Sequence, residues 1–199
     1  MQRYCDHFGL QRVRPDSHRL PPQSSQQPLT VFVTEVTRLG VEAFTDGVFA
    51  NRQRTSTRNG ILKTEAAWLF AQALIDNDVN YLQDIPAVVT SPHLEATISI
   101  IPGQSSGISL SYFFMLAGSD DLVKPDRMIR GFLQDTLNCS VSPKEAQTLL
   151  TDACAVLRRQ YPALTPRLLD SCIWRMESSR RKAGRRSGAD DDSTTCRQW

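Results

Sequence analysis

The stretch Ile100-Ile101-Pro102-Gly103-Gln104-Ser105-Ser106-Gly107-Ile108-Ser109 lies between two helical patterns and carries two glycines. A turn of this kind can expose successive backbone N–H groups. At the N-terminus of the next helix such groups suit a phosphate oxygen. Gly103 and Gly107 permit positive φ and close approach of another backbone. Pro102, Gln104, Ser105, Ser106 and Ser109 complete the candidate phosphate contacts. The same residues also make an ordinary helix–helix turn. A second group follows in Val123-Lys124-Pro125-Asp126-Arg127-Met128-Ile129-Arg130. Asp126, directly after a proline, reads locally as a helix N-cap. Lys124, Arg127 and Arg130 bring positive charge that can face phosphates.

Taken together, these two groups resemble the DNA-binding and catalytic segment of the helix-hairpin-helix base-excision DNA glycosylases. That superfamily shows a Leu-Pro-Gly-x-Gly hairpin, a helix, and then an Asp that opens another helix with a Val or Ile and an Arg soon after. Here Ile101-Pro102-Gly103 matches the hairpin start, although the glycines are spaced Gly-x-x-x-Gly. Asp126 matches the catalytic aspartate, and Arg127, Ile129 and Arg130 match the residues after it. The resemblance implies an enzyme that flips a nucleotide from the stack and cleaves the bond between base and sugar. Asp126 would stabilise the developing sugar cation or activate water. Bifunctional members carry a lysine just after the second glycine, for Schiff-base chemistry. Gly107 or Ser109 stands there in this chain, so the resemblance implies a monofunctional glycosylase without lyase activity.

These residues need helices to position them, and the flanking patterns are helical. Phe32, Val36, Leu39, Ala43 and Phe44 recur at helix spacing, with an interruption expected at Asp46-Gly47. Residues 51–60 are polar and basic and read as a loop. Lys63-Thr64-Glu65 opens a helix with Ala66, Leu69, Phe70, Ala73 and Leu74 on its buried face, and a shorter helix is expected around residues 79–82. Ser91-Pro92, Ser142-Pro143 and Thr165-Pro166 pair a capping hydroxyl with a proline at the first helical position. The last two helices are expected to run to about Gln160 and Trp174. With no convincing alternation of strands, the expectation is an all-α fold, a helical bundle containing a helix-hairpin-helix motif. Its domain is expected over residues 30–178. Residues 1–29, rich in Pro, Gln, Ser and Arg, and residues 179–199, a basic then acidic run, read as disordered tails.

Composition narrows the partners. The formal charge of +2 conceals a split: residues 1–29 carry 4 basic and 2 acidic groups, residues 30–179 carry 13 and 16, and residues 180–199 carry 6 and 3. Nucleic-acid affinity must therefore come from a local basic face rather than from the field of the whole domain. The five cysteines, Cys5, Cys139, Cys154, Cys172 and Cys196, are widely spaced and form no CxxC or Cys/His pattern, so no metal site and no cofactor are expected. Free thiols suit a reducing cytosol, with Cys154 and Cys172 expected in the core. No apolar run approaches the roughly 20 residues needed to cross a bilayer, and the N-terminus lacks the apolar core of a secretory signal. The expected setting is intracellular, at the nucleoid or nucleus if DNA-bound, with DNA as the partner and no membrane. Tyr112, Phe113, Phe114 and Trp174 are candidate cleft aromatics, with core packing the simpler reading. Two other functions fit the same residues: a non-catalytic helix-hairpin-helix DNA-binding module, and a helical interaction protein without a nucleic-acid role.

Overall fold

A computed structural model describes residues 2–10 and 20–187, with side chains to Arg181. Among the described residues the fold is all-α. Among these residues no strand forms, and Arg54 and Leu62 make an isolated antiparallel bridge. No described helix is long and apolar enough to cross a membrane. The chain divides at Gly118/Ser119 into two compact units, where a single domain over residues 30–178 was expected.

The first unit begins with α1 (Gln2–Phe8), in a segment expected to be disordered. Tyr4 and Phe8 pack onto the cluster of Phe32, Val36, Phe44, Val48 and Ala71. Tyr4 stacks on Phe49 at 5.7 Å between centroids, and Phe32 meets Phe44 edge-on at 5.8 Å. Few residues of this segment are apolar, so composition alone reads as a tail. Those few still pack: Cys5 is buried and the aromatic Tyr4 and Phe8 are half-buried, so each contributes on the order of 1 kcal/mol. The Gln-rich stretch before residue 29 is also ordered, by side-chain amides. Gln26 Nε2 donates to Pro21 O and Gln83 Oε1, both at 2.7 Å, and Leu82 N–H donates to Gln26 Oε1 at 3.0 Å. Residues 11–19, including Arg12, Arg14 and Arg19, lie outside the described residues, as do residues 188–199 of the expected second tail.

Helix α2 (Leu29–Leu39) buries Phe32 and Val36, one turn apart. Gly40, at φ +83°, separates it from the short α3 (Val41–Phe44), which continues as a widened π turn (Thr45–Phe49) through the expected interruption at Asp46-Gly47. α4 (Lys63–Ile75) starts at the expected residue and buries Ala66, Ala71, Ala73 and Leu74. A 3₁₀ turn (Leu82–Ala87), displaced from the expected residues 79–82, is held by Asp84, whose Oδ2 accepts from Asn80 N–H at 2.9 Å and Tyr81 N–H at 2.8 Å. α5 (Pro92–Ser99) opens on Ser91, whose hydroxyl accepts from Leu94 N–H at 3.2 Å. α6 (Ile108–Leu116) closes this unit.

The second unit packs α7 (Arg127–Leu137), α8 (Pro143–Leu157) and α9 (Pro166–Ser187) around Val123, Ile129, Leu133, Val141, Ala146, Leu150 and Ile173. Ser142 and Glu145 form a reciprocal capping box at the start of α8. That box satisfies two N–H groups a bare helix end would leave open. α8 stops just before the expected Gln160. α9 continues well past the expected Trp174, because Ser178, Arg180 and Arg181 are compatible with helix and no proline intervenes. Cys5 and Cys154 are buried, whereas Cys172, expected in the core, is exposed.

Candidate nucleic-acid interface

The turn joining α5 and α6 is anchored from below by Ile101, 6% exposed. It tightens through short-range bonds: Ile101 N–H to Ile98 O at 3.1 Å, Gln104 N–H to Ile101 O at 2.9 Å, and Gly107 N–H to Gln104 O at 3.1 Å. Gly103 sits at φ +86° and Gly107 at φ +69°, the left-handed region anticipated from the glycine spacing. Gly103 has a second reason to be glycine. A Cβ there would fall 2.6 Å from Thr55 Cβ, whereas one at Gly107 would meet nothing within 4 Å.

These bonds divide the candidate phosphate contacts. The N–H groups of Gln104 and Gly107 are consumed inside the turn and are not available to a ligand. Beyond them, α6 starts on Gly107, which has no side chain to cap it. Among the described residues, no acceptor is bonded to the N–H of Ile108, Ser109 or Leu110. Pro102, Ser105, Ser106 and Ser109 are exposed around this end. Unbonded N–H groups and the positive end of the helix dipole point the same way, toward an anion. The side chain of Gln104 is directed elsewhere: its Oε1 is buried.

Asp126 lies in the second unit, apart from the turn in the division of the chain. Pro125 before it is buried, and Asp126 is the N-cap of α7, as its local sequence suggests. Its Oδ1 accepts from Met128 N–H at 2.8 Å and Ile129 N–H at 3.3 Å. Its Oδ2 is 3.7 Å from Lys124 Nζ, and the side chain retains 21% exposure. One carboxylate oxygen is therefore committed to the helix, and the other faces a cation at the surface. Arg127 is exposed. Arg130, half-buried, donates from Nε to Val141 O at 2.8 Å and so also ties α7 to the chain entering α8.

A further carboxyl, not singled out from the sequence, joins this group. Asp170 Oδ1 accepts from Lys124 N–H at 3.0 Å, and Asp170 is only 7% exposed. Burial pushes its pKa up to about 6; the Lys124 N–H opposes the rise and the negative charge of Asp126 adds to it. Asp170 therefore accepts a proton near neutrality, beside a carboxylate that caps a helix. The signal in the sequence is a charged residue in an apolar stripe, since Leu169, Asp170, Ile173 and Glu177 follow helical spacing on α9. Of the candidate aromatics, Phe114 is core, and Phe113 meets Phe70 edge-on at 5.3 Å. Tyr112 and Trp174 are 40% and 47% exposed, so the core reading fails for these two. No group of three or more His, Cys, Asp or Glu side chains suited to a metal ion occurs among the described residues.

The chain belongs to the family defined by the domain of unknown function DUF8548, whose model matches residues 1–178. That match spans α1 and most of α9, so the N-terminal helix is part of the family's pattern. Neither a curated protein nor a solved structure matches the chain.

Proposed function

We propose that this protein binds DNA through the α5–α6 turn and acts as a monofunctional DNA N-glycosylase, with Asp126 as its catalytic carboxylate. The observation that carries the DNA-binding part is the uncapped N-terminus of α6, preceded by a turn whose two glycines hold positive φ and whose serines are exposed. A phosphate oxygen is the acceptor such an end accommodates best. Lys124 and Arg127 add charge at the α7 end. The catalytic part is supported by the resemblance around Asp126 and by the exposure of that side chain, which leaves Oδ2 at the surface. Negative charge there suits a sugar cation that develops as the base leaves.

The capping role of Asp126 favours a second reading, a DNA-binding module without chemistry, because both N–H bonds to Oδ1 are explained by helix stability alone.

One experiment separates the two. Duplexes carrying alkylated, oxidised, deaminated or mismatched bases are incubated with wild type and Asp126→Asn, then resolved with and without alkali. The amide keeps an oxygen for the cap, so the fold persists. The expected result is an abasic site from the wild type, with strand breakage only after alkali, and no base release from the variant, which still binds in a gel shift. Binding without base release on any duplex transfers the assignment to the module. No binding at low salt rejects both.

A further inference from the structure

The first unit contains a cavity of about 670 Å³, within the range that holds a drug-sized molecule. Its walls are apolar and aromatic, with Phe32, Phe49, Phe70 and Phe113 among them. Three side-chain atoms of the described residues are buried without a hydrogen-bond partner: Gln27 Nε2, Thr55 Oγ1 and Gln104 Oε1. All three belong to residues that line this one cavity. Buried polar atoms are almost always paired, and each unpaired one costs about 1–3 kcal/mol. Three such atoms at one cavity are unexpected in a region that serves only as core.

Their identities describe what would pair them. Burial, with a smaller contribution from Cys5, pushes the Tyr4 hydroxyl up to about 12, so it remains a donor at neutral pH. It donates to Gln27 Oε1, which leaves Gln27 Nε2 as the unpaired donor. Gln104 Oε1 is an unpaired acceptor, and the Thr55 hydroxyl can serve as either. Thr55 lies directly against Gly103, so its hydroxyl is beside the residue that precedes Gln104. The one charged side chain in the lining is Lys63, which is exposed and donates to Gln53 Oε1 at 2.7 Å. The cavity therefore offers no anion to a cationic ligand.

We propose that this cavity is a binding site for a small, flat, uncharged heteroaromatic molecule that carries a cyclic amide, whose N–H donates to Gln104 Oε1 and whose carbonyl accepts from Gln27 Nε2 or the Thr55 hydroxyl. The aromatic walls hold the ring faces; the three polar atoms are closed to solvent in this conformation and meet the amide edge when their side chains rotate toward it. The site lies wholly in the first unit and shares Gly103, Gln104 and Ser109 with the α5–α6 turn, but its test reads small-molecule binding alone and does not depend on DNA.

Quinazolin-4-one, a bicyclic lactam, serves as the probe, and naphthalene as the hydrocarbon of similar shape. Calorimetric titration of the full chain should show one saturable site for quinazolin-4-one, at least about tenfold tighter than for naphthalene, because a site with unpaired polar groups discriminates against a ligand that cannot satisfy them. Gln104→Leu should weaken quinazolin-4-one by about tenfold or more and leave naphthalene unchanged. Ala67→Trp, at an exposed position on the rim, should block both ligands while the helical circular dichroism stays intact. The proposal is overturned if quinazolin-4-one shows no saturable binding, if naphthalene binds equally well, or if Gln104→Leu binds the lactam like wild type.

Discussion

The two glycines of the α5–α6 turn share a backbone region but differ in surroundings, so alanine at each separates two costs. At Gly107 the substitution meets no atom within 4 Å, and only the φ of +69° resists it. A left-handed L-residue costs roughly 1–2 kcal/mol, and the loss of unfolded-state freedom returns about 0.4–1 kcal/mol. The net for Gly107→Ala is therefore about 1 kcal/mol. At Gly103 the φ of +86° imposes a similar backbone cost, and the new Cβ falls 2.6 Å from Thr55 Cβ and 2.7 Å from Thr55 Oγ1. Carbon pairs favour separations of about 3.5–4.0 Å, so one side must move by about 1 Å. Overpacking of that kind adds about 1–3 kcal/mol, which brings Gly103→Ala to roughly 2–4 kcal/mol. Urea titration by circular dichroism at 222 nm measures both. Adding Thr55→Gly should recover the steric part of Gly103→Ala and leave Gly107→Ala unaffected, as in a double-mutant cycle. Equal losses for the two alanine variants, or no coupling between positions 55 and 103, would refute the account of why Gly103 is glycine.

Asp170 gives a pH signature. Its folded pKa of about 6 lies above the ordinary aspartate value, so its favourable contribution is complete only below about pH 4 and is lost as pH rises through 6. Asp170→Asn should therefore stabilise the protein at pH 7.5, by on the order of 2 kcal/mol, and the gain should vanish near pH 4; urea melts between those limits test it, and a gain that grows on acidification contradicts the assignment. Arg127 and Arg130 should behave differently despite their closeness in sequence. Arg127→Ala should leave stability within about 0.5 kcal/mol and lower the slope of log affinity against log salt by about 1. Arg130→Ala should lower stability by about 1 kcal/mol through the lost bond to Val141 O, read in the same urea and gel-shift measurements.

Helix starts were legible in the sequence because their causes lie within four residues. Ser91 and Ser142 each cap the helix that a following proline begins, and Asp126 does the same for α7 after Pro125. The positive φ of Gly103 and Gly107 was readable for the same reason, since a tight turn between helices leaves few other residues that fit. Features that depend on distant partners were not readable. Tyr4 and Phe8 order the N-terminal helix only because Phe32, Phe44 and Phe49 receive them. The Gln26 amide looks like a tail residue until Pro21, Leu82 and Gln83 stand beside it. Asp170 acquires its raised pKa from burial and from Asp126, 44 residues earlier in the chain. Gln104 illustrates both limits. Its place in the turn follows from local bonding of its N–H to Ile101 O, yet the burial of its side-chain oxygen, in a residue that lines a cavity with α1, α2, α4 and α6, was decided by packing. Hydrogen bonds across a few residues are encoded by neighbours in sequence, whereas burial is a property of what the whole chain brings together.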